Sequence, residues 1–271
     1  MQGLWQDIEV QSGVEAALDF FYGVTQIEKQ RVSLPRDFFI GHGQRAVDGL
    51  HIAQRGFSTT LKSGYAATVQ VENADDSSSK LPDALVAAVA QQWLRLGLLP
   101  LHAAFFEFNG CGLLVLGDST SGKSTLTMAA KSIGAQVVSD DFIRVRLESS
   151  GKLIGMRIRG FLRERDAAGD RYHWLSPEPT EFAITAIAAL QPVTERAELN
   201  SYEKHAALSL HLQLVRQSAP LFMHGFSLEA ATMHRIISAL TCLPHIKVKT
   251  GTEVKHQPLP ALQGILRALG L

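Results

Sequence analysis

Residues 112–141 read GLLVLGDSTSGKSTLTMAAKSIGAQVVSDD, and this stretch decides the fold. An apolar run leads into a glycine-rich loop, a helical pattern follows the loop, and a second apolar run ends in Ser139-Asp140-Asp141. The loop, residues 117–124, matches the pattern G-x-x-x-x-G-K-[ST]. The stretch therefore predicts a strand, a phosphate-binding loop, a helix and a second strand in succession, as in the core of an α/β domain.

The residue types of the loop suit an anion. Glycines let consecutive backbone N–H groups converge on a phosphate, and a helix N-terminus adds partial positive charge. Lys123 would bring a positive charge to the β- and γ-phosphates, and the Ser124 hydroxyl would bind Mg²⁺. A chance match is disfavoured because a strand precedes the loop and a helix follows it. We expect ATP or GTP with Mg²⁺, held by Gly117, Asp118, Ser119, Thr120, Ser121, Gly122, Lys123, Ser124 and Thr125.

Two aspartates follow at the end of the second predicted strand. Asp140 and Asp141 could divide two tasks, one binding Mg²⁺ and the other orienting or deprotonating an acceptor hydroxyl. A turn with two solvated aspartates is the alternative, and the position of the pair after the loop favours the functional interpretation. His102 precedes the first strand, and a lone histidine beside apolar residues is more typical of a hydrogen-bonded core residue than of a catalyst.

Composition and charge narrow the class of protein. The 271 residues carry 26 Lys plus Arg and 26 Asp plus Glu, so no net charge draws the chain to nucleic acid or to an anionic membrane. We expect Cys111 and Cys242 to be buried and structural, as suits a reducing compartment. The N-terminus lacks the basic region of a signal peptide, and polar residues with Pro100 interrupt the most apolar stretch, residues 85–108. These features predict a cytoplasmic protein that binds neither nucleic acid nor membrane.

A polar run at residues 72–83, ENADDSSSKLPD, divides the chain into two predicted regions. Short alternating segments in residues 1–80 predict a small, mostly β region, and interleaved helices and strands in residues 81–271 predict an α/β P-loop domain with a mixed sheet and flanking helices. The remaining patterns predict helices at 14–23, 84–97, 206–217, 228–243 and 261–269, a turn at Asn109-Gly110, a hairpin at 142–160, a single buried strand at 182–190 and a strand at 246–249.

The stretch from His102 to Asp141 resembles the catalytic domain of the HPr kinase/phosphorylase family of bacterial P-loop kinases. His102, the GDSTSGKS loop, Gly134 and the Ser139-Asp140-Asp141 run carry the resemblance in matching order and spacing. The resemblance implies an HPr-kinase-like fold and the use of ATP and Mg²⁺. It also implies that Asp140 is the base facing a substrate serine, that Asp141 lies near the metal, and that His102 lies beside the acidic pair as a site residue with Lys123.

The compact layout, with LPLHAA before the hairpin, looks more like the HPr-kinase-like enzymes of ribosomal peptide pathways. Among these are the lasso-peptide tailoring kinases, which phosphorylate a serine on a precursor peptide. This resemblance implies a peptide or protein substrate bearing a serine, and a homo-oligomer is left open. Two alternatives stay open as well: a small-metabolite kinase on the same scaffold, and a regulatory module that binds a nucleotide without transferring phosphate.

An arginine run, MRIRGFLRERD, is the last candidate group. Its side chains could clamp phosphates or a peptide carboxylate through paired hydrogen bonds. A solvated charged strand, balanced by Glu164 and Asp166, is the favoured interpretation for any single arginine. Arg157 stands where the family has a metal-associated glutamate, and Glu164 is a weak substitute. The arginines concerned are Arg157, Arg159, Arg163 and Arg165.

Overall fold

The structure is a computed structural model that describes residues 42–46, 49–54, 57–62, 67–71, 90, 93–118, 120–158, 161–166, 169–174, 181–192, 200–219 and 229–271. Side chains are described in this set except in residues 42–71 and 161–174. The helix expected at 14–23 lies outside the described residues. Of the helix expected at 84–97, the structure describes residue 90 and residues 93–97, of which 90 and 93–95 are helical and 96–97 form a turn.

After residue 98 the described strands are interspersed with helices. The strands are β1 (His42–Ala46), β2 (Gly49–Gln54), β3 (Phe57–Lys62), β4 (Ala67–Val71), β5 (Leu98–His102), β6 (Ala104–Phe108), β7 (Cys111–Leu116), β8 (Gln136–Ser139), β9 (Phe142–Leu147), β10 (Leu153–Arg157), β11 (Phe161–Asp166), β12 (Gly169–Trp174), β13 (Glu181–Ala183), β14 (Ala186–Leu190), β15 (Ser201–Lys204) and β16 (His245–Lys249). The helices are α1 (Lys123–Ser132), α2 (Ala207–Gln217), α3 (Ala230–Thr241), α4 (Glu253–His256) and α5 (Pro258–Leu269).

The described residues fall into two compact units. One unit contains the described residues between 100 and 217 and between 234 and 271, and the other contains those up to 99 together with 218, 219 and 229–233. The second unit holds a four-stranded antiparallel sheet whose strands β1, β2, β3 and β4 pair in chain order. This sheet agrees with the small, mostly β N-terminal region that the sequence predicts.

The first unit is built on a six-stranded mixed sheet in the order β15-β16-β14-β7-β6-β8. Strands β7, β14 and β16 run parallel to one another. Strand β6 is antiparallel to both β7 and β8, so β7 and β8 run in the same direction. The phosphate loop after β7 and the acidic pair after β8 therefore leave the sheet at the same edge. The mixed α/β class is confirmed.

Helices α1 and α5 cover one face of this sheet. The core between them is apolar, with Leu126 and Ala130 of α1 and Leu262 and Ile265 of α5 all at most 1% exposed. Gly134 ends the helical segment as expected, with φ at 88° and its N–H donating to the carbonyl oxygen of Lys131 at 3.1 Å. The helix that begins at the phosphate loop is thus fixed on its sheet by a continuous apolar face.

The opposite face of the sheet carries Phe105, whose ring lies against Gly155 of β10. A Cβ at position 155 would lie 2.5 Å from Phe105 Cε1, so only glycine admits the ring there. Strand β10 belongs to a second sheet of the order β13-β10-β9-β5. The hairpin expected at 142–160 is confirmed as β9 and β10, and the Asn109-Gly110 turn is confirmed by φ values of 52° and 82°.

The single strand expected at residues 182–190 is wrong. The chain forms two strands there, β13 beside β10 and β14 between β7 and β16. The change of sheet occurs between neighbouring residues, because the Ile184 N–H donates to Leu153 O and the Thr185 N–H donates to Gly112 O, both at 2.8 Å. An unbroken apolar run cannot show that its backbone groups pair with two different sheets.

The two cysteines differ in their exposure to solvent. Cys111 is half-buried, with Sγ 3.2 Å from Thr185 Oγ1, whereas Cys242 is exposed. The expectation that both are buried is therefore wrong for Cys242 and holds only in part for Cys111. None of the helices in the described part of the chain combines the length and the apolar character needed to cross a bilayer.

Candidate functional site

The loop between β7 and α1 is tightly bent and depends on its glycines. A Cβ at Gly117 would lie 2.3 Å from Ser121 Oγ, and a Cβ at Gly122 would lie 2.9 Å from Val254 Cγ2. Gly122 has φ at 99°, and Thr120 also adopts a left-handed conformation, with φ at 68°. Both glycines of the motif are therefore required by close packing, and Gly122 is also required by its conformation. Ser119 lies outside the described residues.

Lys123 is the first residue of α1 and is only 6% exposed. Its Nζ donates to the carbonyl oxygens of Gly117 at 2.6 Å and Asp118 at 3.2 Å. Burial lowers the pKa of Lys123, and the charges of Asp141, Asp118 and Asp140 act in the opposite direction. The structure thus brings the loop lysine close to the acidic pair that follows β8.

The loop hydroxyls fit a polyphosphate and a metal ion. Ser121 is 1% exposed and its Oγ has no hydrogen-bond partner in the described chain, so a phosphate oxygen could satisfy it. Ser124 is exposed in the first turn of α1, and Thr125 is half-buried beside it. Mg²⁺ commonly takes one or two carboxylates together with substrate phosphates, and Asp141 with Ser124 matches that donor set. In the described residues, no cluster of three or more His, Cys, Asp or Glu side chains could hold a metal.

The acidic pair is held in a turn by Ser139. The Ser139 hydroxyl donates to the carbonyl oxygen of Phe142 at 2.8 Å and accepts from the Asp141 N–H at 3.2 Å. Asp140 is buried, at 6% exposure, whereas the Asp141 side chain is 26% exposed. The two neighbouring carboxylates therefore have different access to solvent, which suits two different tasks.

His102 ends β5 and lies beside the acidic pair, as the resemblance implied. Its Nε2 is 3.2 Å from Asp141 Oδ1, and its ring centroid is 5.2 Å from that of Phe142. The histidine is 7% exposed, and its other ring nitrogen, Nδ1, is 2.7 Å from Gln217 Oε1. Both ring nitrogens therefore have polar partners, which fixes the orientation of the ring.

Gln217 belongs to this site, and no sequence pattern predicts it. It is the last residue of α2, and its Nε2 donates to Asp118 Oδ1 at 2.9 Å across 99 positions of the chain. The preceding residue, Arg216, is exposed and places Nη2 3.6 Å from the same carboxylate oxygen. The helix pattern predicts where α2 ends, and no motif shows that its last amide reaches the phosphate loop.

Arg157 is buried, and its guanidinium contacts main-chain oxygens of β8. It is 4% exposed, its Nε donates to Val138 O at 3.3 Å, and its Nη2 donates to Val137 O at 3.2 Å. Arg144 of β9 donates from Nη2 to the carbonyl oxygen of Arg157 at 2.9 Å. The favoured expectation of a solvated arginine is wrong for Arg157, because its guanidinium binds backbone oxygens of β8.

The ligand contacts suggested for the other arginines of the run stay predictions. Arg159 lies outside the described residues. The side chains of Arg163, Glu164 and Arg165, on β11, are outside what the structure describes.

Comparison with known proteins gives one partial match in sequence. No protein-family model matches the chain. An HPr kinase/phosphorylase from Lachnoclostridium phytofermentans is 31% identical over 67 residues, which make up 24% of this chain and 22% of that protein. The match therefore spans only about a fifth of the length of the relative.

Comparison with solved structures gives the Hpr(Ser) kinase/phosphatase from Coxiella burnetii. The likeness has a TM-score of 0.29 at 21% sequence identity, and it covers 39% of this chain and 72% of the other. The chain is thus similar in sequence to an HPr kinase/phosphorylase over about a quarter of its length.

Proposed function

We propose that this protein is a kinase that transfers the γ-phosphoryl group of ATP to a serine hydroxyl of a peptide or protein. One observation carries the proposal: the buried lysine of a phosphate-binding loop lies close to an acidic pair, and a histidine contacts one of the two carboxylates. The sequence similarity to an HPr kinase/phosphorylase supports the same activity. Phosphoryl transfer depends mainly on positioning and charge neutralisation, and these side chains supply both.

The nucleotide would be held by the loop. Backbone N–H groups at the start of α1 and the Lys123 ammonium would bind the phosphate oxygens. Ser124 and Asp141 would hold Mg²⁺, which supplies positive charge to the phosphates when it is bound. The unpartnered Ser121 hydroxyl would gain a hydrogen bond to the ligand. ATP is the proposed donor, and GTP is the alternative.

Asp140 would act on the acceptor. As the serine oxygen forms its bond to the γ-phosphorus, the bond from that phosphorus to the β–γ bridging oxygen breaks, and the hydroxyl proton passes to the Asp140 carboxylate. The products are phosphoserine and ADP. The burial of Asp140 keeps bulk water away from this carboxylate, which favours transfer to a bound hydroxyl over hydrolysis.

The substrate we propose is a ribosomally made precursor peptide of the lasso class, and this choice rests on the layout of the sequence. The proposal also retains the prediction of a cytoplasmic protein and the assignment of residues 81–271 as the catalytic domain, with residues 1–80 as a separate region. A small-metabolite acceptor and a nucleotide-binding module without transfer are the competing functions.

One experiment separates these functions. The protein is incubated with γ-labelled ATP, Mg²⁺ and serine-containing peptides, each paired with the same peptide carrying alanine in place of serine. Mass spectrometry then locates any added phosphate, and K123A is the control for the loop. Phosphate on the serine supports the proposal. Transfer only to small hydroxyl compounds, or nucleotide binding without transfer, would replace it with the corresponding alternative.

A further inference from the structure

The Gln217 side chain bridges the phosphate loop and the histidine. Its amide has one donor end and one acceptor end, and the two ends contact different parts of the site. The Nε2 end is 2.9 Å from Asp118 Oδ1 in the loop, and the Oε1 end is 2.7 Å from His102 Nδ1. Gln217 is 2% exposed, so water does not replace either contact.

The chemistry of Asp118 decides the orientation of this amide. An ionised carboxylate only accepts hydrogen bonds, so the Gln217 NH₂ group must face Asp118. The Gln217 carbonyl oxygen must then face His102, and a carbonyl oxygen also only accepts. The His102 Nδ1 therefore carries a hydrogen and donates it to Gln217. The orientation follows from the donor and acceptor types and does not depend on which amide atom is drawn as nitrogen.

The other ring nitrogen, Nε2, faces the acidic pair. Because a carboxylate only accepts hydrogen bonds, the contact with Asp141 is a hydrogen bond only when Nε2 carries a hydrogen as well. His102 Nε2 lies 3.2 Å from Asp141 Oδ1, and the contact with the Phe142 ring limits rotation of the imidazole. A chain of contacts thus runs from Asp118 in the phosphate loop through Gln217 and His102 to Asp141. The outer hydrogen-bond partner of a functional histidine commonly fixes its tautomer and ring orientation.

We propose that Gln217 is a positioning residue of the site: its amide, oriented by Asp118, holds the His102 ring with Nδ1–H toward α2 and Nε2 toward Asp141. The catalytic consequence rests on the proposed kinase function, whereas the ring orientation does not. Arg216 assists by holding the same Asp118 carboxylate from the surface. Its contribution is small because both partners are exposed.

The ring orientation is tested first, without any substrate. Long-range ¹H–¹⁵N spectra of protein labelled at histidine distinguish a ring nitrogen that carries hydrogen from one that does not, and H102Q identifies the His102 signals. We expect Nδ1 of His102 to carry hydrogen in the unmodified protein and to lose this preference in Q217M. A bare Nδ1 in the unmodified protein overturns the proposal, whatever the kinase assay shows.

The effect on transfer is tested next. Q217M should lower kcat about 10- to 100-fold, by analogy with metal-ligating histidines that lose their outer partner, with little change in nucleotide affinity. The matched control is Q213M on the same helix, because Gln213 Oε1 contacts His205 Nε2 at 3.3 Å, outside the chain of contacts from Asp118 to Asp141. Q213M should leave kcat unchanged. Equal losses of kcat in both variants would mean that α2 acts only as structural support.

A reciprocal exchange makes the test independent of the stability of Q217M. In the double variant Q217E/D118N, the side chain at position 217 is a carboxylate, which can still accept a hydrogen bond from His102. The side chain at position 118 is an amide, whose NH₂ group can donate to that carboxylate. We expect the double variant to regain kcat relative to Q217E alone and to restore the hydrogen on His102 Nδ1. A double variant no better than Q217E in either measurement contradicts the positioning role.

Discussion

Arg157 donates from Nε to the backbone carbonyl oxygen of Val138 at 3.3 Å. Strand β8 ends the six-stranded sheet, and an edge strand has backbone groups that no neighbouring strand can pair. The guanidinium, with five donors, also reaches Val137 O at 3.2 Å. An arginine on β10 therefore helps to hold the strand that ends immediately before Asp140.

We expect R157M to destabilise the protein by about 2 to 4 kcal/mol, because two buried carbonyl oxygens would lose charged hydrogen-bond donors. R157K should recover only part of the loss, because an ammonium cannot reproduce the guanidinium fork. The measurement is the free energy of unfolding from urea titrations.

R146M on the adjacent strand β9 is the matched control. Arg146 is 38% exposed and forms ion pairs with Glu148 at 3.3 Å and Glu181 at 3.8 Å. Exposed pairs of this kind contribute about 0–1 kcal/mol. If R157M proved as stable as R146M, the bonds from Arg157 to β8 would not contribute to stability.

The sequence predicts the central unit of the fold because that unit is encoded locally. The apolar run before the loop, the glycines within it and the helical pattern that ends at Gly134 each follow from neighbouring residues. The shared direction of β7 and β8 required one more fact, the antiparallel strand β6 between them. The Asn109-Gly110 turn predicts the pairing of β6 with β7, whereas the pairing of β6 with β8 joins distant segments and has no local signal.

The parts that the sequence did not predict depend on contacts between distant residues. Gln217 reaches Asp118 from the end of another helix, and Arg157 bonds to main-chain oxygens of β8 that have no sequence signature. The break between β13 and β14 likewise depends on which sheet accepts each backbone N–H. Such contacts are set by tertiary packing, so neither composition nor periodicity reveals them.

Gly122 is required by conformation and by space together. Its φ is 99°, and an added Cβ would lie 2.9 Å from Val254 Cγ2 of α4. We expect G122A to cost about 2 to 4 kcal/mol, the sum of a left-handed alanine and an overpacked contact, and to weaken nucleotide binding. Urea unfolding and calorimetric titration with ATP measure the two effects.

Substitution of Gly134 distinguishes the cost of the left-handed conformation from the cost of the steric contact. Its φ is 88°, and nothing in the described part of the chain lies within 4 Å of an added Cβ, so we expect G134A to carry the conformational cost alone. G134A should therefore cost about 1 kcal/mol and leave nucleotide affinity unchanged. G122A/V254A should recover the part of the loss that comes from contact with Val254. Equal stabilities of G122A and G134A would contradict the steric part of this explanation.

Lys123 should make stability depend on pH in a defined direction. Burial lowers its pKa from the ordinary value of 10.5, while Asp141, Asp118 and Asp140 limit the lowering. At pH values between the lowered pKa and 10.5, Lys123 holds its proton in the unfolded chain but has released it in the folded chain. Raising the pH through this range therefore stabilises the folded state. K123M lacks this contribution.

The measurement compares the two proteins by urea unfolding at several pH values from neutral to alkaline. We expect the stability of the unmodified protein relative to K123M to increase as the pH rises toward 10.5. Titratable groups that both proteins share contribute equally to the two free energies of unfolding, so their contributions cancel in the difference. A difference that stays constant with pH would mean that Lys123 has the same pKa in the folded and unfolded chains.

The different exposure of Asp140 and Asp141 predicts different consequences of their replacement. Asp140 is 6% exposed and is the proposed acceptor of the serine proton, whereas Asp141 contacts His102 and is the proposed metal ligand. Asparagine has almost the same shape as aspartate but cannot take up a proton as a carboxylate does. D140N should therefore retain nucleotide affinity and lower the rate of transfer about 10²- to 10⁴-fold, the contribution usual for a positioned base.

D141N should instead lower nucleotide affinity in the presence of Mg²⁺ more than in its absence. Calorimetric titration with ATP, with and without Mg²⁺, and the peptide phosphorylation rate measure both variants. Transfer by D140N at the unmodified rate would remove Asp140 from the role of base, because the buried carboxylate would then serve only to hold the turn after β8.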